Sequence, residues 1–218
     1  MRKVHILVEG QTEETFIKSL IQPHLYSFNI FLNPVIITTK KTKSGKKFKG
    51  GIISYQKVKN ELEKLLKDSS AIAITTMIDY YGLPDDFPGY SSVYNGNCYE
   101  IIAYLTEKFR EDLNHPRFLP FITLHEFEAF LFVSPFEIDQ RFPDISIINE
   151  LAKISNNFTS PEEINDGQNT HPSARIKLLI NRYKKVVDGV VIAQKIGLEK
   201  IRAKCNHFNQ WLEQLEQL

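Results

Sequence analysis

The sequence has very little cysteine: two residues, Cys98 and Cys205, among 218. They lie far apart and form no CxxC or Cys/His ligand pattern, which excludes a disulfide-rich secreted scaffold and gives no indication of a zinc site. Cysteines used this sparingly suit a reducing compartment. We therefore expect a cytoplasmic protein.

Long hydrophobic runs are also absent. No segment approaches the roughly 20 apolar residues that a membrane-spanning helix needs. The apolar stretch near the N-terminus stops at Glu9, which makes it too short for a secretory signal, and no small-residue cleavage site follows it. The sequence therefore predicts no association with a membrane.

Neither sign of charge dominates the chain. The 27 Lys+Arg and 26 Asp+Glu residues leave a net charge of +1, and 42% of the residues are hydrophobic. This balance argues against a generally basic nucleic-acid coat protein, and it is typical of a globular protein with a substantial core. The chain also lacks the GxxxxGK[ST], GxGxxG, GxSxG and HExxH motifs.

Strand and helix patterns alternate over the first 133 residues. Short apolar runs predict strands at Lys3–Val8, Pro34–Thr39, Ala71–Ile78 and Phe118–Leu124. Between them, helical spacing of apolar residues predicts three helices. The first begins at an N-cap Thr12 and has a kink or its end at Pro23, and the other two cover Ile52–Lys67 and Tyr99–Leu113. This order predicts an α/β core over residues 1–133, with a mainly parallel sheet flanked by helices.

The character of the chain changes after about Ser134. Residues 134–218 contain polar loops, a few apolar turns near Ile145–Ile154, and a helical pattern from Ser173 to the end that is interrupted at Gly189 and Gly197. We predict a mainly helical lobe packed on the core. Whether this lobe forms a homodimer is left open by the sequence.

Acidic residues follow several predicted strands directly. Glu9 ends the first strand, Asp79 ends a later buried strand, and Glu126 and Glu128 follow another strand, next to His125. Functional groups of parallel sheets gather at the carboxyl ends of the strands, and carboxylate oxygens are the ligands that Mg²⁺ prefers. The alternative is that these acids are solvated caps or ion-pair partners, and that His125 is a hydrogen-bonded structural residue rather than a general base or a partner of the metal ligands.

Basic residues form two candidate contacts for a nucleic-acid backbone. A helix start at His171–Arg175 offers backbone N–H groups together with cationic side chains, although an ordinary cap and a surface ion pair would look the same. A glycine-containing basic loop is the other contact, and its alternative is a solvated loop. The candidate residues are Lys40, Lys41, Lys43, Lys46, Lys47 and Lys49 in the loop, and Ser173, Arg175 and Lys177 at the helix start.

Several motifs, in a fixed order, resemble the bacterial family catalogued as domain of unknown function 4276, and they cover nearly the whole chain. They are Val8–Glu13, Thr76–Pro84 with Phe87–Gly89, His125–Ala129, Ile164–Asn165, Pro172–Ile176, Ile196–Arg202, Cys205 and Phe208–Trp211.

That family is in turn similar to the TOPRIM superfamily, a Rossmann-like metal-binding fold found in topoisomerases, primases and nucleases. The resemblance matches Glu9 to the glutamate after the first TOPRIM strand and Asp79 to the first aspartate of its Asp-x-Asp motif. Tyr81 stands in place of the second aspartate, and tyrosine is a poor Mg²⁺ ligand. This departure either weakens metal binding or passes the role to Glu126 or Glu128; we favour the second option.

The leading hypothesis from the resemblance is a divergent TOPRIM-like nuclease for DNA or RNA that serves in phage defence beside a partner ATPase. Glu9, Asp79 and Glu126 would hold Mg²⁺ or Mn²⁺, with Glu128 and His125 as neighbouring catalytic groups. The rival is a non-catalytic subunit that binds nucleic acid or a nucleotide and regulates an ATPase. A phosphatase or phosphotransferase that acts on small phosphate esters is a more distant option.

Overall fold

The architecture is a five-stranded sheet with helices on both faces. A computed structural model describes residues 1–37, 52, 54–93, 95–164, 167 and 169–218. Within these ranges the strands are β1 (Arg2–Val8), β2 (Ile30–Ile36), β3 (Ala71–Asp79), β4 (Phe118–Leu119) and β5 (Ile122–Thr123).

Every strand pairing in the described sheet is parallel. The order is β2-β1-β3-β4, and β5 pairs with the far end of β3. β1 and β3 lie in the middle, which explains their almost continuous runs of β-branched and apolar residues. The predicted α/β class with a mainly parallel sheet is therefore confirmed.

Two strand predictions need correction. The strand predicted at Pro34–Thr39 begins earlier, at Ile30, since Asn29 in the left-handed conformation ends the preceding helical turn. The single strand predicted at Phe118–Leu124 is two short strands, because Pro120 lies between them and has no N–H to donate to a ladder.

The chain between β1 and β2 is a continuous helical run. It comprises α1 (Gln11–Phe16), a π-helical turn (Ile17–Ile21) and α2 (Gln22–Leu25). Its N-cap is Gly10, whereas the predicted cap Thr12 lies buried inside the first turn, so that prediction is wrong. Pro23 does not end the helix: it is the second residue of α2, directly after the π-helical turn, and the helical backbone continues through it.

Two longer helices cover one face of the sheet. They are α3 (Tyr55–Leu66) and α4 (Cys98–Leu113). Asn97 and Glu100 form a capping box at the start of α4, in which each side chain accepts a hydrogen bond from the other residue's backbone N–H. Buried residues of both helices pack against Leu7, Ile74 and Ile78 of the sheet.

The remaining helices lie on the other face. They are α5 (Pro135–Arg141), α6 (Ile145–Asn156), α7 (Pro172–Leu179), α8 (Val190–Ile196), α9 (Leu198–Lys204) and α10 (Asn206–Glu216). A 3₁₀ helix at Phe127–Val133 precedes them, and a π-helical turn at Lys185–Gly189 leads into α8. The predicted interruption at Gly197 is confirmed, because its φ of 84° ends α8. Gly189 interrupts nothing, since its helical backbone continues into α8.

One continuous core joins these helices to the sheet. It includes Val4, Ile6 and Val8 of β1 as well as Phe208 and Trp211 of α10. The indole N–H of Trp211 donates to the Thr75 hydroxyl on β3, at 2.9 Å, which fixes α10 under the middle of the sheet. None of the described helices combines the length and apolar character needed to span a bilayer. The boundary predicted near residue 134 stays a prediction.

Candidate metal-binding active site

Acidic side chains gather at the carboxyl end of the central strands. Glu9 follows β1 and Asp79 is the last residue of β3, as expected for neighbouring parallel strands. Glu13 lies in α1, four residues beyond Glu9, while Glu126 is the N-cap residue and Glu128 a first-turn residue of the 3₁₀ helix that follows β5. We call these five residues the carboxylate cluster.

The cluster is largely withdrawn from solvent. Glu13, Asp79, Glu126 and Glu128 are buried, with Glu128 fully so, and Glu9 is half-buried. The backbone N–H of Asp79 donates to Glu9 Oε1 at 2.8 Å, which ties the ends of β1 and β3 together. An opening of about 270 Å³ is lined by residues 9–13, Lys185 and Val186. Of the five acids, Glu9 and Glu13 border this opening.

Lys185 places an ammonium group among these acids. Its Nζ lies 3.2 Å from Glu128 Oε2, 3.3 Å from Asp79 Oδ2 and 3.5 Å from Glu13 Oε1. Burial alone would lower the pKa of this lysine, but the carboxylates of Asp79, Glu128 and Glu13 together raise it well above its usual value. Lys185 is therefore charged, and it links α1, β3 and the 3₁₀ helix.

The acids outnumber this single ammonium, and their pKa values reflect it. Burial, followed by repulsion from Glu13, raises the pKa of Glu9 to about 7. Burial likewise raises the pKa of Glu128 to about 7 and that of Asp79 well above its usual range, although Lys185 opposes both shifts. Shifts of this kind concentrate at functional sites, because structural acids are normally compensated.

Glu126 is bound differently from the other four acids. Its Oε1 accepts from Nδ1 of His171 at 2.9 Å and from the backbone N–H of Ser173 at the start of α7. The predicted anion site at this helix start is thus occupied by a carboxylate of the protein itself. The His171 ring stacks on that of Tyr81, with centroids 4.3 Å apart, and Tyr81 remains 38% exposed.

His125 shapes the loop that carries Glu126 and Glu128. Its φ of 59° lies in the left-handed region, an uncommon conformation for a residue with a Cβ. The carbonyl oxygen of His125 accepts from the N–H of Tyr81 at 2.7 Å, and its buried ring packs near Tyr80. The residue thereby joins the ends of β3 and β5. Its predicted catalytic role stays a prediction.

The other predicted nucleic-acid contacts are a basic loop and the start of α7. Lys40, Lys41, Lys43, Lys46, Lys47 and Lys49 lie outside the described residues. Ser173 is buried, Arg175 is half-buried and donates from Nε to the Thr170 carbonyl, and Lys177 is exposed near the end of α7. Among the described residues, the lysine or arginine that contacts the carboxylate cluster is Lys185, not Arg175 or Lys177.

The cluster fits a hard divalent cation in its chemistry. All of its donors are oxygens, and within the described ranges Asp79 Oδ1 is buried with no hydrogen-bond partner. The same ranges contain no three His, Cys, Asp or Glu groups already spaced to hold a metal. Three of the carboxylates instead surround the ammonium of Lys185.

Sequence reasoning did not identify Glu13 or Lys185 as members of the site. In the sequence Glu13 is only the last residue of the Val8–Glu13 motif, and its spacing of four residues from Glu9 is the available signal. Lys185 gives no comparable signal, since it is one of several basic residues in a helical stretch. Its place beside the acids depends on the packing of the lobe.

Comparisons with known proteins give one sequence family and a few structures. The chain has 15% identity and a TM-score of 0.47 with the C-terminal region of the Burkholderia pseudomallei OLD protein, covering 100% of this chain and 98% of that one. For the C-terminal region of the Xanthomonas campestris pv. campestris OLD protein, phased with iodine, the values are 14% and 0.38, covering 100% and 99%. At these TM-scores neither likeness carries a functional conclusion.

The family comparison is more direct. No curated protein sequence matches the chain. The sequence model of one family, described as "Domain of unknown function (DUF4276)", matches residues 8–216. That span includes every acid of the carboxylate cluster and Lys185. It covers nearly the whole chain, which therefore belongs to the DUF4276 family.

Proposed function

We propose that this protein is a divalent-metal-dependent nuclease that hydrolyses phosphodiester bonds of DNA or RNA. The observation that carries the proposal is the carboxylate cluster: five acids, three of them with raised pKa values, at the carboxyl edge of a parallel sheet and beside an opening. The resemblance to the TOPRIM superfamily supports nucleic acid as the substrate. It also supports the proposed setting, phage defence with a partner ATPase.

Glu9, Asp79 and Glu128 are the acids that would hold Mg²⁺ or Mn²⁺, with Glu13 beside them. Glu126 would contribute only its Oε2, because Oε1 is bound by His171 and Ser173. Glu128 thus takes over the role that Tyr81 cannot fill. When bound, the metal supplies positive charge at the scissile phosphate and a more acidic water.

The chain's own groups account for the rest of the proposed chemistry. Lys185 faces the opening beside Glu9, where its ammonium can offset the charge of an entering phosphate. Glu13, which also lines the opening and is not assigned to the metal, is the acid left to accept a proton from the attacking water. The new P–O bond forms from that water as the bond to the leaving oxygen breaks.

The experiment is a cleavage screen of the purified protein with Mn²⁺ or Mg²⁺ on duplex DNA, single-stranded DNA, RNA and tRNA. Asp79→Asn and Glu128→Gln should each lower the rate by roughly 100-fold or more, because they remove buried charge at the reacting centre. Asp112→Asn is the matched control: Asp112 binds Lys59 and Tyr55, so its loss should leave cleavage intact. No cleavage of any substrate, alone or with the partner ATPase, contradicts the proposal.

One observation favours a second candidate, a non-catalytic subunit that binds nucleic acid or a nucleotide and regulates an ATPase. Lys185 already contacts three of the acids, as it would in a site kept for structure alone. Under this alternative, binding and regulation of the ATPase are abolished by alanine replacements in the basic loop, at Lys40, Lys41, Lys43, Lys46, Lys47 and Lys49, and not by replacements in the carboxylate cluster. Loss of activity when the acids are replaced favours the nuclease.

A further inference from the structure

Lys185 contacts more carboxylates than an ordinary ion pair provides. Its partners Asp79, Glu128 and Glu13 come from three separate elements, and their side chains are at most 7% exposed. The lysine side chain itself is 31% exposed, so it reaches inward from the surface to a buried anionic point. Carboxylates from separate elements that converge on one small cation are otherwise typical of a metal-binding site.

The distances fit an ammonium and not a metal. The N–O separations of 3.2–3.5 Å are well above the roughly 2.0–2.1 Å of a Mg²⁺–oxygen bond. The three carboxylates therefore surround an ammonium at distances suited to that group. In the described part of the chain, no three His, Cys, Asp or Glu groups are spaced to hold a metal.

The charge balance also favours a divalent cation over an ammonium at this position. Three carboxylates carry three negative charges when ionised and Lys185 carries one positive charge, so two negative charges remain. A divalent cation in place of the ammonium would offset one charge more. In the absence of a metal, the lysine is the only cation in contact with Asp79, Glu13 or Glu128 among the ion pairs of the described residues.

We propose that Lys185 is a built-in counter-ion that takes the place of the divalent cation in the metal-free protein and must withdraw before metal binds. The inference deepens the proposed function, on whose metal it rests. Lys185 is able to move, because its ammonium sits on a flexible four-carbon stem and borders the 270 Å³ opening. After withdrawal, the acids would be free to bind the metal, and the ammonium would lie near the entrance of the opening.

Competition between the two cations gives a direct test with no nucleic acid present. Mn²⁺ and Mg²⁺ are titrated calorimetrically into the wild type, Lys185→Met and Lys185→Arg at equal pH and ionic strength. Lys185→Met should bind metal roughly tenfold more tightly, since no ammonium has to leave. Lys185→Arg should bind more weakly than the wild type, because a guanidinium makes more hydrogen bonds to carboxylates.

Lys184→Met is the matched control. Lys184 is the exposed neighbour in sequence, so its replacement removes the same charge from the chain without touching the carboxylate cluster. Its metal affinity should equal that of the wild type. Thermal unfolding adds a second readout: metal-free Lys185→Met should melt below the wild type, and Mn²⁺ should raise its melting temperature by more.

The inference is overturned if Lys185→Met binds metal with wild-type or weaker affinity, or if neither protein binds metal. If Lys185→Met does not fold, the metal affinity of Lys185→Arg tests the inference. Metal binding by Lys185→Arg that equals or exceeds that of the wild type would then contradict it. The proposed function fails separately. If the metal and Lys185 compete but no substrate is cleaved, the counter-ion role of Lys185 stands and the nuclease function is contradicted. If a substrate is cleaved without such competition, the nuclease function stands and the counter-ion role is contradicted.

Discussion

At the scale of the residue, Gly189 determines where Tyr183 can lie. A Cβ at position 189 would be 2.6 Å from the Tyr183 hydroxyl oxygen and 3.2 Å from the ring of Phe127. The same hydroxyl is 3.4 Å from Glu128 Oε1. Any side chain at this glycine would therefore push the tyrosine against the carboxylate cluster or away from it.

We expect Gly189→Ala to lower the free energy of unfolding by about 1–3 kcal/mol, as overpacking of a dense interior does. Tyr183→Phe removes the oxygen nearest the new methyl group, so the double variant should recover part of that loss. Urea unfolding of the wild type, both single variants and the double variant gives the coupling energy. Additive effects of the two changes would argue against the contact.

Residues of the site differ in how far the sequence reveals them. Glu9 and Asp79 could be predicted, because each follows an apolar strand and parallel strands end at one edge of the sheet. Glu126 was predicted as a metal ligand, but one of its oxygens is bound by the start of α7; the sequence predicts an anion site there without indicating that Glu126 occupies it. Lys185 could not be predicted, since it meets Asp79 across 106 positions of the chain.

At the scale of the element, the π-helical turn Lys185–Gly189 fixes the backbone from which the Lys185 side chain extends. Asp188, nearly buried in this turn, accepts from Arg141 of α5 at 2.8–2.9 Å and from the backbone N–H of Lys184 at 2.8 Å. A π-helical turn is rare and often lies at a functional site. The ion pair therefore positions Lys185 without contacting it.

We expect Arg141→Gln to lower the free energy of unfolding by about 1–3 kcal/mol, because Asp188 would keep a buried charge with fewer donors. It should also shift the metal affinity, since the turn that carries Lys185 loses an anchor. Arg110→Gln is the control, because the pair of Arg110 with Glu107 is exposed and worth little. Calorimetric titration with Mn²⁺ and thermal unfolding check both variants, and identical behaviour of the two would contradict the role of Arg141.

The elements themselves were largely predictable. The strand at Ala71–Asp79 and the helix at Cys98–Leu113 lie within one residue of their predicted bounds, because long apolar runs and helical periods depend on local sequence. The two π-helical turns were not predicted. Such turns have no distinct periodicity, and tertiary packing decides where they form.

At the scale of the whole molecule, stability should depend on pH through the buried acids. The pKa values of Glu9 and Glu128 rise from 4.5 to about 7 in the folded protein, chiefly through burial. A carboxyl group with a raised pKa contributes stability that is complete below its unfolded pKa and is lost as pH rises through the folded value.

The metal-free protein should therefore melt at a lower temperature near pH 8 than near pH 5.5. Burial also raises the pKa of Glu162 to about 7. The carboxylate of Glu162 accepts from the N–H groups of His207 and Phe208 at the start of α10. It adds to the same trend without any relation to metal. The pH slope alone thus does not identify the carboxylate cluster.

Metal separates the two contributions. Mn²⁺ competes with protons for Glu9, Asp79 and Glu128 but not for Glu162, so the rise in melting temperature that Mn²⁺ causes should be larger near pH 8 than near pH 5.5. Glu128→Gln should reduce that difference, whereas Glu162→Gln should change only the metal-free slope. Melting curves at both pH values, with and without millimolar Mn²⁺, test this. An Mn²⁺ effect of equal size at both would mean that the metal does not bind the acids whose pKa values are raised.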